Sequence, residues 1–238
     1  MLIPAIVCAT TISGIAKNRS ILVFSKTAGF RHDAIPIGRE AILEIGISRG
    51  WSVTFTEDAS AIDSKKLKAF DAVVFLSTTG NILDKTQKSA LSSFIHAGGG
   101  FVGVHAAADC EYDWPWYGQL VGAYFLTHPA QQDAVIKIDD PTHPSTKDLP
   151  NPWRRKDEWY DYRTNPRSTV HVLASLDPSS YTGSKMPDDH PIMWCHEFEG
   201  GRSWYTGMGH TQESYKDPVF LKMLAEGIEW SCGTSKRK

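Results

Sequence analysis

Three short apolar runs, each standing next to a stretch of helical period, constrain this chain most. They are residues 20–25 (SILVFS), 71–77 (DAVVFLS) and 101–104 (FVGV). Runs this short, without polar alternation, suit strands buried on both faces. After the first, Ile37, Ala41, Ile42, Ile45 and Ile47 recur near helical spacing until Gly50. Residues 51–56 (WSVTFT) alternate like a strand, and 64–70 form a short connector. Asp84 is placed to cap a helix over 85–97, with Leu91, Phe94 and Ile95 on one face and Gly98-Gly99-Gly100 as the stop. Strand, helix, strand, strand, helix, strand predicts crossover connections and a parallel sheet.

Ligands of such sheets sit beyond the carboxyl ends of the strands. Those ends are residues 26–32, 77–81 and 105–109, and the first and third bring a histidine. The second half is less regular. Residues 134–138 and 169–173 read as strands, and 192–198 with 202–206 as a hairpin through Glu199-Gly200-Gly201. A final helix covers 217–232, with Phe220, Leu221, Leu224, Ile228 and Trp230 as core positions. The Pro-rich stretch 139–155 reads as a long surface loop. No repeat or linker divides the chain, so one domain is expected over 20–233, between a leader (1–19) and a basic tail (234–238).

Charge excludes one class of partner. Lys plus Arg number 25 and Asp plus Glu 27, a net charge of −2, which disfavours nucleic-acid binding through a global field. No Walker loop occurs and no GxGxxG follows the first strand. The uncharged run 1–16 is too short to span a membrane. It has the apolar core and small-residue end of a secretory signal, though no basic residue near Met1, which predicts a periplasmic or secreted protein with a cytoplasmic one as the alternative. The four cysteines have no CxxC spacing, so no disulfide framework or zinc ribbon is expected.

The chemistry-bearing residues fall into five segments. Gly103-Val104-His105-Ala106-Ala107 has the small-x-centre-x-small outline of a nucleophile elbow, with an imidazole at its centre. In Gly29-Phe30-Arg31-His32, Arg31 is a candidate anion clamp and His32 is expected to face the same cleft as His105. Residues 113–129 (DWPWYGQLVGAYFLTHP) gather Trp114, Trp116 and Tyr117, flat faces for a sugar ring or large residues for a core, and close on His128. Asp157-Glu158-Trp159-Tyr160 sets two acids beside two aromatics, where an apolar surround would raise a carboxyl pKa. His210 follows the strand 202–206. His32, His105, His128 and His210, with Glu158 nearby, are also a candidate ligand set for a divalent transition metal such as Zn or Mn, although none shows i, i+4 spacing.

Taken in order, these pieces resemble the trehalose-utilisation, or ThuA-like, family over about residues 20–233. The resemblance implies a class I glutamine amidotransferase-like fold, an α/β three-layer sandwich with a mainly parallel central sheet and a flavodoxin-like core. It implies a link to carbohydrate catabolism. His105 stands where amidotransferases carry Cys, so no glutaminase activity is expected, and Cys110, five residues on, should not substitute.

The leading expectation is an enzyme acting on a sugar or keto-glycoside. His32, His105, Glu158 and His210 would be its catalytic groups, and Arg31, Trp114, Trp116, Tyr117, His128, Trp159 and Tyr160 its substrate contacts. The alternatives are a non-catalytic carbohydrate-binding protein and a metal-dependent hydrolase. An exposed aromatic patch would serve a homo-oligomer as readily as a sugar.

Overall fold

A computed structural model describes residues 18–233. The expected leader, apart from residues 18 and 19, and the basic tail lie outside the described residues. In chain order the first half holds β1 (Ser20–Phe24), α1 (Ile35–Arg49), β2 (Ser52–Thr56), β3 (Ala72–Leu76), α2 (Lys85–His96), β4 (Gly100–Val104) and α3 (Pro115–Val121). Then come β5 (Phe125–Thr127), β6 (Gln132–Ile138), β7 (Trp153–Asp157), β8 (Asp161–Tyr162), β9 (His171–Leu176), β10 (His190–Phe198), β11 (Gly201–Thr206) and α4 (Pro218–Ser231).

Nine strands form one sheet in the order β2-β1-β3-β4-β11-β10-β9-β6-β7, and β5 pairs with β8 apart from it. The neighbours from β2 to β11 run parallel, and the pairs from β11 to β7 are antiparallel. The parallel part is the crossover sheet read from the apolar runs, since β1, β3 and β4 are buried almost throughout. Strand alternation shows helices on both faces. Ser203 of β11 donates to the Leu120 carbonyl of α3, while the next residue, Trp204, packs against Gly227 of α4. α1 lies with α4, joined by Arg49 and Glu226 at 2.7 Å. Asp84 caps α2 as expected, in a capping box with Gln87. Ile47, expected on the apolar face of α1, is instead 73% exposed.

The stretch 139–155 is not the surface loop expected. His143, Ser145, Thr146 and Trp153 within it are buried, and its end forms the edge strand β7. Trp153 and Asp157 point inward while Arg154 and Lys156 face out. The basic residues mask this period-2 pattern in the sequence. They also suit an edge strand, where charge discourages pairing with another chain. Among the described residues no helix is long and apolar enough to cross a membrane.

Candidate functional site

The end of β4 sets the centre of the site. His105 has φ 50 and opens a tight 3-10 turn through Ala108. A side chain at a left-handed position is held only where the surroundings over-determine it. Here the small neighbours are required: a Cβ on Gly103 would stand 2.8 Å from the Tyr205 ring and 3.3 Å from the Ala107 Cβ. Tyr205 also donates from its hydroxyl to the His105 carbonyl at 2.8 Å. The elbow outline in the sequence thus corresponds to an elbow in the fold.

Three loops bring partners to His105. The loop after β1 brings His32, the segment after β7 brings Glu158, and the loop after β11 brings His210. One ligand atom from each of these four residues lies within 4.8 Å of every other. His32, His105 and Glu158 are buried, and His210 is half-buried. The His32 ring meets those of His105 and His210 edge-on, at centroid distances of 4.8 and 5.1 Å.

Hydrogen bonding fixes much of the protonation pattern. His105 Nδ1 is 2.9 Å from the Gly207 carbonyl, which can only accept, so the ring donates from Nδ1. In the neutral ring Nε2 then carries a lone pair. His210 Nδ1 lies 3.1 Å from that Nε2 and 3.0 Å from Glu158 Oε2. His105 Nε2 and Glu158 Oε2 are themselves 3.4 Å apart. Several lone pairs therefore converge where one proton can serve them.

The electrostatics follow from that convergence. Burial would raise the Glu158 carboxyl, but hydrogen bonds with His105 and His210 outweigh it and hold the group well below the usual carboxylate range. This corrects the expectation of a raised carboxyl, because histidines rather than apolar groups surround it. Burial works against a charge on His210 too, but the hydrogen bond to Glu158 carries its pKa above the ordinary value. Burial, reinforced by His105 and His210, pushes His32 down to about 3. His32 Nδ1 is buried and has no hydrogen-bond partner among the described residues.

These four residues suit a metal ion. Three imidazoles and a carboxylate are a donor set for Zn²⁺ or Mn²⁺. Ligand atoms about 2.1 Å from an ion can stand at most about 4.2 Å apart, so the widest pair would close by roughly half an ångström. The Gly207 carbonyl behind His105 is the kind of outer partner that orients a ligating imidazole.

The other expected contacts divide. His128, 41% exposed at its side chain, places Nδ1 3.2 Å from Glu158 Oε1 and stands at the edge of the site, outside the four-residue cluster. Tyr160 packs its ring on His105 with centroids 4.2 Å apart and forms a wall of the site. Trp159 is fully buried, its indole donating to the Gln132 carbonyl at 2.8 Å. Arg31, the candidate anion clamp, is engaged by Glu57 in a two-pronged pair at 2.8 and 2.9 Å.

The tryptophan segment is elsewhere. Trp114 stacks on Trp116, which donates to Glu199 at 2.7 Å in the turn before β11. That turn is at the opposite end of β11 from the His210 loop. Tyr117 is fully buried and donates to the Ala107 carbonyl. Trp114, Trp116 and Tyr117 thus pack α3 onto the sheet and do not meet the histidines. Cys110 is buried, donates to the Gly80 carbonyl, and has a thiol pKa pushed up by burial, so it supplies no nucleophile.

Asp157, which is buried, and Arg155, paired with it at 3.3 Å, carry no motif of their own in the sequence. The alternation of 153–157 was the available signal for both. Asp109, between His105 and the aromatic segment, was also passed over; burial raises its carboxyl, and Tyr112 donates to it at 2.6 Å.

Comparison with known proteins agrees with this architecture. A ThuA-like protein of Bacteroides uniformis ATCC 8492 superposes with a TM-score of 0.78 at 24% identity, over 93% of this chain and 95% of that one. A ThuA-like protein of Parabacteroides merdae ATCC 43184 gives 0.74 at 19%, over 91% of each chain. A cytoplasmic protein of Salmonella typhimurium gives 0.63 at 10% identity, over 90% of this chain and 98% of that one. At these identities the likeness shows the fold, which is the flavodoxin-like, class I amidotransferase-like α/β arrangement. No curated protein sequence matches this chain. The sequence model of the family described as trehalose utilisation, ThuA, matches residues 20–231, nearly all of the described chain. This chain therefore belongs to the ThuA trehalose-utilisation family.

Proposed function

We propose that this protein is a sugar-processing enzyme whose His32, His105, His210 and Glu158 hold a divalent transition metal. The observation that carries the reading is the convergence of four ligand atoms within 4.8 Å, at an elbow on the carboxyl end of a parallel sheet. A divalent ion there supplies Lewis acidity toward a hydroxyl or carbonyl oxygen of a bound carbohydrate.

The chain's own groups divide the remaining work. His105 is oriented by the Gly207 carbonyl, and Glu158 is kept ionised by its histidine partners. His128, held at the rim by the second Glu158 oxygen, is the imidazole placed to exchange a proton with an incoming ligand. Phe125, half-buried and packed on the buried Tyr160 ring at 4.2 Å, is the apolar surface against which a sugar ring can lie.

Metal analysis of the purified protein, with thermal melts in added Zn²⁺, Mn²⁺ and Ni²⁺, tests the reading. Bound metal or a rise in melting temperature supports it. A protein that retains no metal and gains no stability from any of the three overturns it. Product analysis on glycosides and keto-glycosides, for the parent and His105→Ala, then separates an enzyme from a sugar-binding protein.

A further inference from the structure

We infer that Asp157, backed by Arg155, is the positioning residue that holds Glu158 and His210 together as ligands of one metal centre; this rests on the metal reading above. Glu158 follows β7, the edge strand, and His210 follows β11, four places away in the sheet. Backbone pairing alone does not join them.

The Asp157 carboxylate makes the connection. It is fully buried, and each of its oxygens is used more than once. Oδ1 accepts from the backbone N–H of Glu158 at 3.0 Å and from that of His210 at 3.1 Å. Oδ2 accepts from the backbone N–H of Gly209 at 2.9 Å, the Ser214 hydroxyl at 3.1 Å and Arg155 Nη2 at 3.3 Å. One side chain thus fixes the backbone at both ligand residues, and at Gly209, whose φ of 104 requires glycine.

Arg155 makes this buried charge tenable. Its guanidinium is sandwiched between the Trp153 and Phe220 rings, each 4.8 Å away, and donates to the Ser214 hydroxyl at 2.6 Å. Arg155 Nε and Nη1 have no hydrogen-bond partner among the described residues, so its charge is directed to Asp157, with Asp217 more distant at 3.7 Å. A buried ion pair of this kind is a poor source of net stability against an apolar replacement. What it supplies here is a negative charge that can satisfy three backbone donors at the metal centre.

The test is Co²⁺ binding to the full chain, read by calorimetry and by the visible absorption of the bound ion, which reports its coordination. Asp157→Asn keeps the shape but turns an amide NH₂ toward donors. Its Co²⁺ affinity is expected to fall by about tenfold or more, the usual scale for an outer partner of a ligand, with an altered absorption pattern. Ser214→Ala removes one donor to Asp157 and is expected to shift the affinity in the same direction by a smaller factor. A role confined to general stability would lower the melting temperature of these variants but leave both the affinity and the spectrum of folded protein unchanged. That result overturns the inference. If Asp157→Asn does not fold, Ser214→Ala decides, and wild-type affinity and spectrum in it count against the inference. Failure of the wild type to bind Co²⁺, Zn²⁺ or Mn²⁺ would instead remove the metal reading on which the inference rests.

Discussion

Glu158 Oε2 lies 3.0 Å from His210 Nδ1, joining an edge strand of the sheet to the loop beyond its central strand. The same carboxylate reaches His105 and, through its other oxygen, His128. Glu158 therefore makes direct polar contact both with the buried histidines and with His128 at the rim.

The first prediction concerns that carboxylate. Glu158→Gln keeps the shape but removes the charge that the histidines stabilise. Metal affinity is expected to drop by at least about tenfold, since a neutral amide is a poor ligand and no longer favours a cation. Competition titration with a chromogenic chelator measures this. Parent-like affinity would exclude Glu158 from the ligand set.

A second prediction concerns pH in the metal-free protein. Folded His32 takes up its proton only near pH 3, because of burial and its histidine neighbours, whereas an unfolded histidine does so near about 6.5. Between those values the unfolded chain holds more protons, so stability falls as pH falls. The contribution is complete above about 6.5 and is lost progressively toward about 3. His143, pushed down to about 4 by burial, acts in the same sense over a narrower window. Urea unfolding across pH 7 to 4 should therefore show a declining midpoint, with a shallower decline in His32→Leu and the His143 part retained. An equal slope in both proteins would mean that His32 does not stay neutral in the fold.

Trp116 gives a third prediction. Because it stacks on Trp114 and binds Glu199 far from the cluster, Trp116→Ala should lower stability without moving metal affinity or sugar turnover. The loss is expected at about 1–3 kcal/mol, below the range for a fully buried tryptophan because the ring is only partly buried. Parallel denaturation and binding measurements separate the two effects. A tryptophan at a sugar subsite would instead lose binding.

Gly227 gives a fourth. In a helix, Gly→Ala ordinarily gains about 1 kcal/mol. Here the new Cβ would stand 2.5 Å from the Trp204 ring, which is fully buried and anchored by its indole to Ser145. Overpacking of this kind costs about 1–3 kcal/mol, so Gly227→Ala is expected to be net destabilising, by up to about 2 kcal/mol. Equilibrium unfolding in urea checks the sign.

The local chemistry of the sequence determined the parallel half of this protein. The runs SILVFS, DAVVFLS and FVGV had to be buried on both faces, Asp84 had to cap a helix, and Gly103 and Ala107 left room for a tight turn at His105. These properties depend on neighbours a few residues apart, and the family motifs lie on the same segments. Which residues share the site was settled by tertiary structure. Trp116 and His128 belong to one sequence segment, yet the tryptophan binds Glu199 in the turn before β11, at the far end of that strand, while β5 brings the histidine back to Glu158. Likewise β7 was hidden by its outward basic residues, so the strand that delivers Asp157 and Glu158 could not be seen until the sheet order put it at an edge. Periodicity reports which face of an element is buried, but not which distant element covers it. The lowered Glu158 carboxyl depends on that second fact, through His105 and His210, which the fold places beside it.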